Sequence, residues 1–175
     1  KLGLAEIAGV SIPAREVGGD FFNYFPLADG RIAVLVGDVS GKGVGAALLM
    51  ANIQATLRAR LQLETDLARL TDSVDRDIAA NTPPEVYITL FLGLLDPPRR
   101  ELQYVNAGHN PQFLLRAGGG IERLISTGLP IGLLPGHGFE ARTVAVEPGA
   151  LLFLYTDGAV EAPNEEGDFF DADRL

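Results

Sequence analysis

Two apolar runs in this sequence each deliver an aspartate into a glycine turn: Arg31-Ile-Ala-Val-Leu-Val-Gly-Asp38 and Leu151-Leu-Phe-Leu-Tyr-Thr-Asp157-Gly158. Runs this apolar read as strands covered on both faces. A carboxylate at the tip of such a strand is costly to desolvate unless something pairs with it. A third aspartate ends Val17-Gly-Gly-Asp20. Several such carboxylates meeting in one place would repel each other, and a hard cation is the natural partner for oxygen donors.

The elements around these runs specify an antiparallel architecture. Residues 5–13 read as a first strand. Phe21 to Leu27 and Arg31 to Val36 form a hairpin around Ala28-Asp29-Gly30. Gly43 to Leu61 is a helix rich in Ala and Leu, apolar around much of its circumference, which predicts deep burial. Leu67, Leu70, Val74 and Ile78 follow helical spacing, so Asp66 to Ala80 is an amphipathic helix that Pro83-Pro84 ends. Three more strand pairs follow: Val86–Leu95 with Glu101–Asn106, Gln112–Arg116 with Ile121–Ile125, and Thr143–Val146 with Leu151–Thr156 around Glu147-Pro-Gly149. Hairpins around two consecutive helices imply α+β, not a doubly wound parallel sheet.

At 175 residues the chain is one domain's worth. It has no cysteine, which removes disulfides, thiolate zinc sites and cysteine-nucleophile chemistry. Two histidines, His109 and His137, are too few for a histidine-built centre, so any metal site is carboxylate-based and suits Mg²⁺, Mn²⁺ or Ca²⁺. The net charge of −9 argues against nucleic acid or an anionic membrane as partner. No apolar run reaches the ~20 residues that span a bilayer. The opening Lys-Leu-Gly-Leu lacks an initiator Met, which suggests a domain excised from a longer parent.

Gly37-Asp-Val-Ser-Gly-Lys-Gly43 superficially suggests a nucleotide P-loop, but the spacing before Gly-Lys is one residue short and Gly43 stands where Ser or Thr is needed. Taken singly, Asp38 and Ser40 also suit a turn or cap, and Asp157-Gly158 a routine hairpin turn. The combination of three strand-linked aspartates beside glycines favours a site.

Five motifs occur in order: Pro13-Ala-Arg-Glu-Val-Gly-Gly-Asp-Phe21, Gly37-Asp-Val-Ser-Gly-Lys-Gly43, Asn106-Ala-Gly-His-Asn-Pro111, Gly128-Leu-Pro-Ile-Gly132 and Leu154-Tyr-Thr-Asp-Gly158. Together they resemble the bacterial SpoIIE/RsbU branch of the PP2C-type (PPM) metal-dependent serine/threonine phosphatases, over essentially the whole chain. The resemblance implies a β-sandwich of two antiparallel sheets flanked by helix pairs, in four layers. It implies two Mn²⁺ or Mg²⁺ ions held by Asp20, a bridging Asp38, the backbone carbonyl of Val39 and Asp157. Hydrolysis would then proceed through metal-activated water without a protein nucleophile. Arg15 matches a phosphate-binding arginine of many PP2C enzymes, although an ordinary surface arginine is an equal reading. His109 reads as packing or orienting a loop. Leu129 and Ile131, apolar in loop-like sequence, are candidates for partner docking, with burial against the sandwich as the alternative.

One departure stands out. The family continues through a helix and a last strand bearing an Asp-Asp-x-Thr motif, which Asp168, Asp171 and Asp173 do not match. A single phosphatase domain over 1–175, incomplete at both ends, is therefore expected. The resemblance makes its substrate a phosphorylated STAS-type anti-sigma-factor antagonist in a cytoplasmic partner-switching pathway. A sensory or receiver domain in the parent chain would regulate it, and a homodimer is compatible. The competing readings are a binding module of the same fold without activity and a small-molecule phosphatase.

Overall fold

The first hairpin forms where the turn chemistry demands it. In the computed structural model, which describes residues 5–12 and 18–175, β1 (Phe21–Pro26) and β2 (Ile32–Val39) pair antiparallel, with Phe21 opposite Gly37 and Pro26 opposite Ile32. Gly30 takes a φ of 88°, and Asp29 accepts from the Arg31 N–H at 3.0 Å, closing the loop between them. The Arg31 side chain also binds Asp29 and holds its carboxyl below the usual range.

β2 is nearly buried along its whole length because it lies inside the sheet. β3 (Ile88–Asp96) pairs with it, β4 (Glu101–Ala107) pairs with β3, and the order of this five-stranded sheet is β1-β2-β3-β4-β7, where β7 is Arg142–Ala145. A second sheet of three strands has the order β6-β5-β8, built from β5 (Gln112–Leu115), β6 (Ile121–Leu124) and β8 (Leu151–Phe153). Each ladder between these strands is antiparallel.

Strand alternation divides the interior into two cores. One face of the large sheet, with Leu35, Leu90, Leu92, Leu94 and Val105, packs against helices α1 (Val44–Arg60) and α2 (Leu67–Asn81) through Ile53, Leu57, Leu70, Val74 and Ile78. The other face, with Val36, Phe91, Leu102 and Tyr104, packs against Leu114 and Leu124 of the small sheet. Phe91 and Tyr104 stack there with ring centroids 5.4 Å apart. The two-sheet α+β sandwich is as the sequence implied. One helix pair is present among the described residues, on the large sheet; the second expected pair has no counterpart among them.

Three local expectations change. Thr143–Val146 and Leu151–Thr156 are not partners in a hairpin: β7 joins the free edge of β4, and β8 joins β5 in the other sheet. The Glu147-Pro-Gly149 turn therefore carries the chain from sheet to sheet, a corner whose local chemistry is that of a hairpin turn. Of the expected first strand, only Ala5 makes a bridge, Val10 and Ile12 are exposed, and Pro13 lies outside the described residues. Helix α1 is buried along one side only, by Ala46, Ile53 and Leu57, while Val44 and Leu48 are exposed. Helix α2 agrees with its periodicity, and Asp66 caps it by accepting from the Arg69 N–H at 3.1 Å.

A buried carboxylate on α2 ties the helix layer to the loop after β6. Asp75 is 1% exposed and accepts from the N–H groups of Gly132 (2.8 Å) and Gly136 (3.2 Å). Asp75→Ala would strand both donors, so we expect a loss of about 2–4 kcal/mol in urea unfolding. Amide exchange at Gly132 and Gly136 should accelerate in the same variant.

Candidate metal centre

Asp38 is the penultimate residue of β2 and shares its face with Val36, the face turned toward the small sheet. Asp20 immediately precedes β1, whose first residue Phe21 sits opposite Gly37. Asp157 begins a short 3-10 turn after β8. One carboxylate oxygen from each of the three lies within 4.8 Å of the others. The fold thus gathers at one end of the sandwich three aspartates separated by 137 positions of sequence, from 20 to 157.

Close backbone approach makes this possible. Gly19 accepts the Val39 N–H at 3.3 Å, extending the ladder past β1. A Cβ at Gly19 would fall on the Val39 carbonyl oxygen and lie 2.8 Å from Asp38 Oδ1. The Val39 carbonyl and the Asp38 carboxylate therefore border the same gap, which only glycine leaves open. Ser40 is committed to structure: its N–H donates to the Tyr87 carbonyl, and its Oγ accepts the Tyr87 N–H, both at 2.9 Å.

The electrostatics follow from the crowding. Burial, then the like charges of Asp20 and Asp157, push the Asp38 carboxyl up to about 6. Asp20 is raised as well, first by burial and then by Asp157, against a hydrogen bond from Thr156. An all-oxygen donor set with surplus negative charge suits a hard divalent cation. These are the residues present, and they fit the group.

The other candidates separate. Arg15 lies outside the described residues. Leu129 is 41% exposed, and its N–H donates to His137 Nε2 at 2.9 Å. Ile131 is fully buried and exchanges both backbone hydrogen bonds with Ile88, at 2.9 and 2.8 Å, so it serves the core and is removed from the docking surface. Asp168 and Asp171 are not in the aspartate cluster.

Beside the cluster lies a polar group that the sequence reading largely passed over. His109 is buried; its Nδ1 is 2.8 Å from Thr89 Oγ1 and its Nε2 3.1 Å from the Tyr155 carbonyl. Since that carbonyl only accepts, Nε2 carries the proton and Nδ1 accepts from Thr89. Burial pushes the imidazole below its ordinary range, against the Tyr155 bond and Asp157, and keeps it neutral. Gln112 is fully buried next to it. A glutamine at an inward position of an otherwise apolar strand was the available signal.

The sign of the Asp38 shift gives a pH dependence. Its unfolded value is about 3.9, and about 6 in the folded protein means that the metal-free fold holds the proton more tightly. Stability from this group is therefore full below about pH 4 and lost as pH rises through about 6. In EDTA, Asp38→Asn should be the more stable protein at pH 7.5, by on the order of 1 kcal/mol after solvent screening. The gap should close toward pH 4.5 in thermal melts.

The family model described as Stage II sporulation protein E (SpoIIE) matches residues 28–175. Protein IcfG of Synechocystis is 33% identical over 200 residues, covering 97% of this chain and 31% of IcfG. The phosphoserine phosphatase RsbU of Bacillus subtilis is 24% identical over 163 residues, covering 93% of this chain and 48% of RsbU. The chain thus spans less than half the length of either relative. Among solved structures, the RsbU and RsbW domains of a Mycobacterium tuberculosis protein superpose with a TM-score of 0.76 at 33% identity, over 88% of this chain and 43% of that one.

Proposed function

We propose a function for this chain from the family to which it belongs, the SpoIIE family of PP2C-type domains: metal-dependent hydrolysis of phosphoserine and phosphothreonine on a protein substrate. The observation that carries the reading is the convergence of Asp20, Asp38 and Asp157 within 4.8 Å. Asp20, Asp38 and Asp157 would together hold the two Mn²⁺ or Mg²⁺ ions that the family resemblance implies, with the Val39 carbonyl as a neutral donor beside the half-buried Asp38. Bound divalent cations supply Lewis acidity and an activated water for in-line displacement at phosphorus.

The chain's own residues have four tasks in this scheme. The three aspartates provide the negative charge that holds the cations, and Gly19 keeps the approach to Asp38 open. Neutral His109, already hydrogen-bonded on both nitrogens, orients rather than exchanges protons. Leu129, exposed on the loop whose neighbour Ile131 is pinned to β3, offers an apolar contact for the protein around the phosphoresidue. The relative named phosphoserine phosphatase supports phosphoserine as the group acted on; a phosphorylated STAS-type antagonist as the protein that carries it, and a regulatory domain in a longer parent chain, are what the resemblance of the five motifs implies.

The test is phosphate release from a phosphoserine STAS protein with and without Mn²⁺. We expect Asp38→Asn to remove Mn²⁺-dependent turnover by at least 10³-fold, on the order of 4 kcal/mol of transition-state stabilisation, while circular dichroism is unchanged. Near-normal turnover in a folded variant would rule the centre out. Leu129→Ser should slow release from the protein substrate severalfold and leave para-nitrophenyl phosphate hydrolysis intact; equal loss on both would end the docking role.

A further inference from the structure

Asp38 lies on the large sheet and Asp157 follows β8 of the small one, so their separation depends on how the two sheets are fastened at this end of the sandwich. β8 ends at Phe153, four residues before Asp157, and no strand ladder carries the chain across that interval. What holds it is a set of side chains from the Asn106–Gln112 segment. The Tyr155 N–H donates to Gln112 Oε1 at 2.7 Å, and Gln112 Nε2 donates back to the Tyr155 carbonyl at 3.1 Å. One side-chain amide thus satisfies both backbone groups of a single residue, as a neighbouring strand would.

The same carbonyl accepts a hydrogen bond from His109 Nε2–H, and Thr89 Oγ1 donates to His109 Nδ1. Thr89 is the register partner of Asp38 in the β2–β3 ladder. The path Asp38, Thr89, His109, Tyr155 therefore crosses from the large sheet to within two residues of Asp157. Asn106 fixes the turn beneath: its Oδ1 accepts the His109 N–H at 2.8 Å, and its Nδ2 donates to the carbonyls of Leu124 at 3.2 Å and Asn110 at 3.3 Å. Asn106 and Gln112 are fully buried and His109 nearly so. The Tyr155 ring stacks between Phe113 and Phe153, at 5.7 and 5.9 Å, so the clamped peptide is gripped on its side chain as well.

We propose that His109 and Gln112, supported by Asn106 and Thr89, are positioning residues that set Asp157 against Asp38 and thereby fix the cation affinity of the site; the inference rests on the metal-centre reading above. Neither residue touches substrate or cation in this scheme. They act through the backbone of Tyr155, and loosening it lets like-charged Asp157 swing away from Asp20 and Asp38, which repel it. Outer partners of metal ligands elsewhere contribute 10–100-fold to affinity by such orientation.

Mn²⁺ calorimetry on the 175-residue protein tests this. His109→Ala and Gln112→Ala should weaken Mn²⁺ binding roughly 10–100-fold. His109→Gln, which keeps a donor at the Nε2 position, should stay within about threefold of wild type. Thr89→Val removes one hydroxyl at nearly constant volume and guards against a variant that fails to fold; it should weaken binding about 3–10-fold. In an Asp157→Asn background, His109→Ala should add no more than about a twofold loss, the non-additivity expected of one path. Without metal, amide exchange over 155–158 should rise in His109→Ala and Thr89→Val. Wild-type affinity in folded His109→Ala and Thr89→Val, or a fully additive loss with Asp157→Asn, would overturn the clamp while leaving the centre standing. Absence of Mn²⁺ binding by wild type, or its persistence in Asp38→Asn, would overturn the centre and the clamp together.

Discussion

Repulsion among Asp20, Asp38 and Asp157 is the constraint around which this end of the molecule is arranged. Carboxylate oxygens within 4.8 Å of one another, one of them on a strand buried for most of its length, do not assemble on their own account. Burial first, and then the like charges of Asp20 and Asp157, push the Asp38 carboxyl up to about 6. Such an arrangement persists only where the surrounding structure over-determines it. Here two well-filled cores do so, one between the helices and the large sheet and one between the sheets.

The crossing between β7 and β8 is the topological step that makes the cluster. Had the chain turned back in the same sheet after Glu147, the residues leading to Asp157 would have extended the edge of the large sheet beyond β7. By passing to the small sheet, β8 pairs with β5 and presents its C-terminal end opposite the face of β2 that carries Asp38. Arg116 secures this corner, bonding Glu147, Glu122 and the Ala145 carbonyl across both sheets. A single exposed ion pair contributes little, but three partners on one guanidinium fix geometry more than energy.

Much of this was legible in the sequence because it is encoded locally. The Asp29-Gly30 turn, the spacing of Leu67, Leu70, Val74 and Ile78, and the apolar runs ending at Asp38 and Asp157 all carry signals within a few residues of themselves. What was not legible is non-local. Glu147-Pro-Gly149 has the chemistry of a hairpin turn and also of a sheet-to-sheet corner, and only the open edges of β4 and β5 decide between them. Helix α1 is rich in apolar residues without a clear stripe, so composition implied burial on all sides where packing covers one. Leu129 and Ile131 look alike in sequence, two residues apart. Ile131 is taken by an isolated bridge to Ile88 and Leu129 is not, a distinction that exists only in three dimensions.

The same physical device recurs at two irregular segments, the loop after β6 and the stretch after β8, and it explains how they are held by more than their own packing. A loop has little apolar surface of its own to bury, so its order must come from its backbone polar groups. Asp75, on a regular helix, takes the N–H groups of Gly132 and Gly136; Gln112, on a regular strand, takes both backbone groups of Tyr155. Each anchor is buried, so its bonds are worth more than exposed ones and costly to break. Each also connects a different layer to the same end of the sandwich, α2 in one case and the small sheet in the other. The segment that leads to Asp157 is thus held by a packed layer, and the geometry of the aspartate cluster follows from the cores even though none of its own side chains belongs to them.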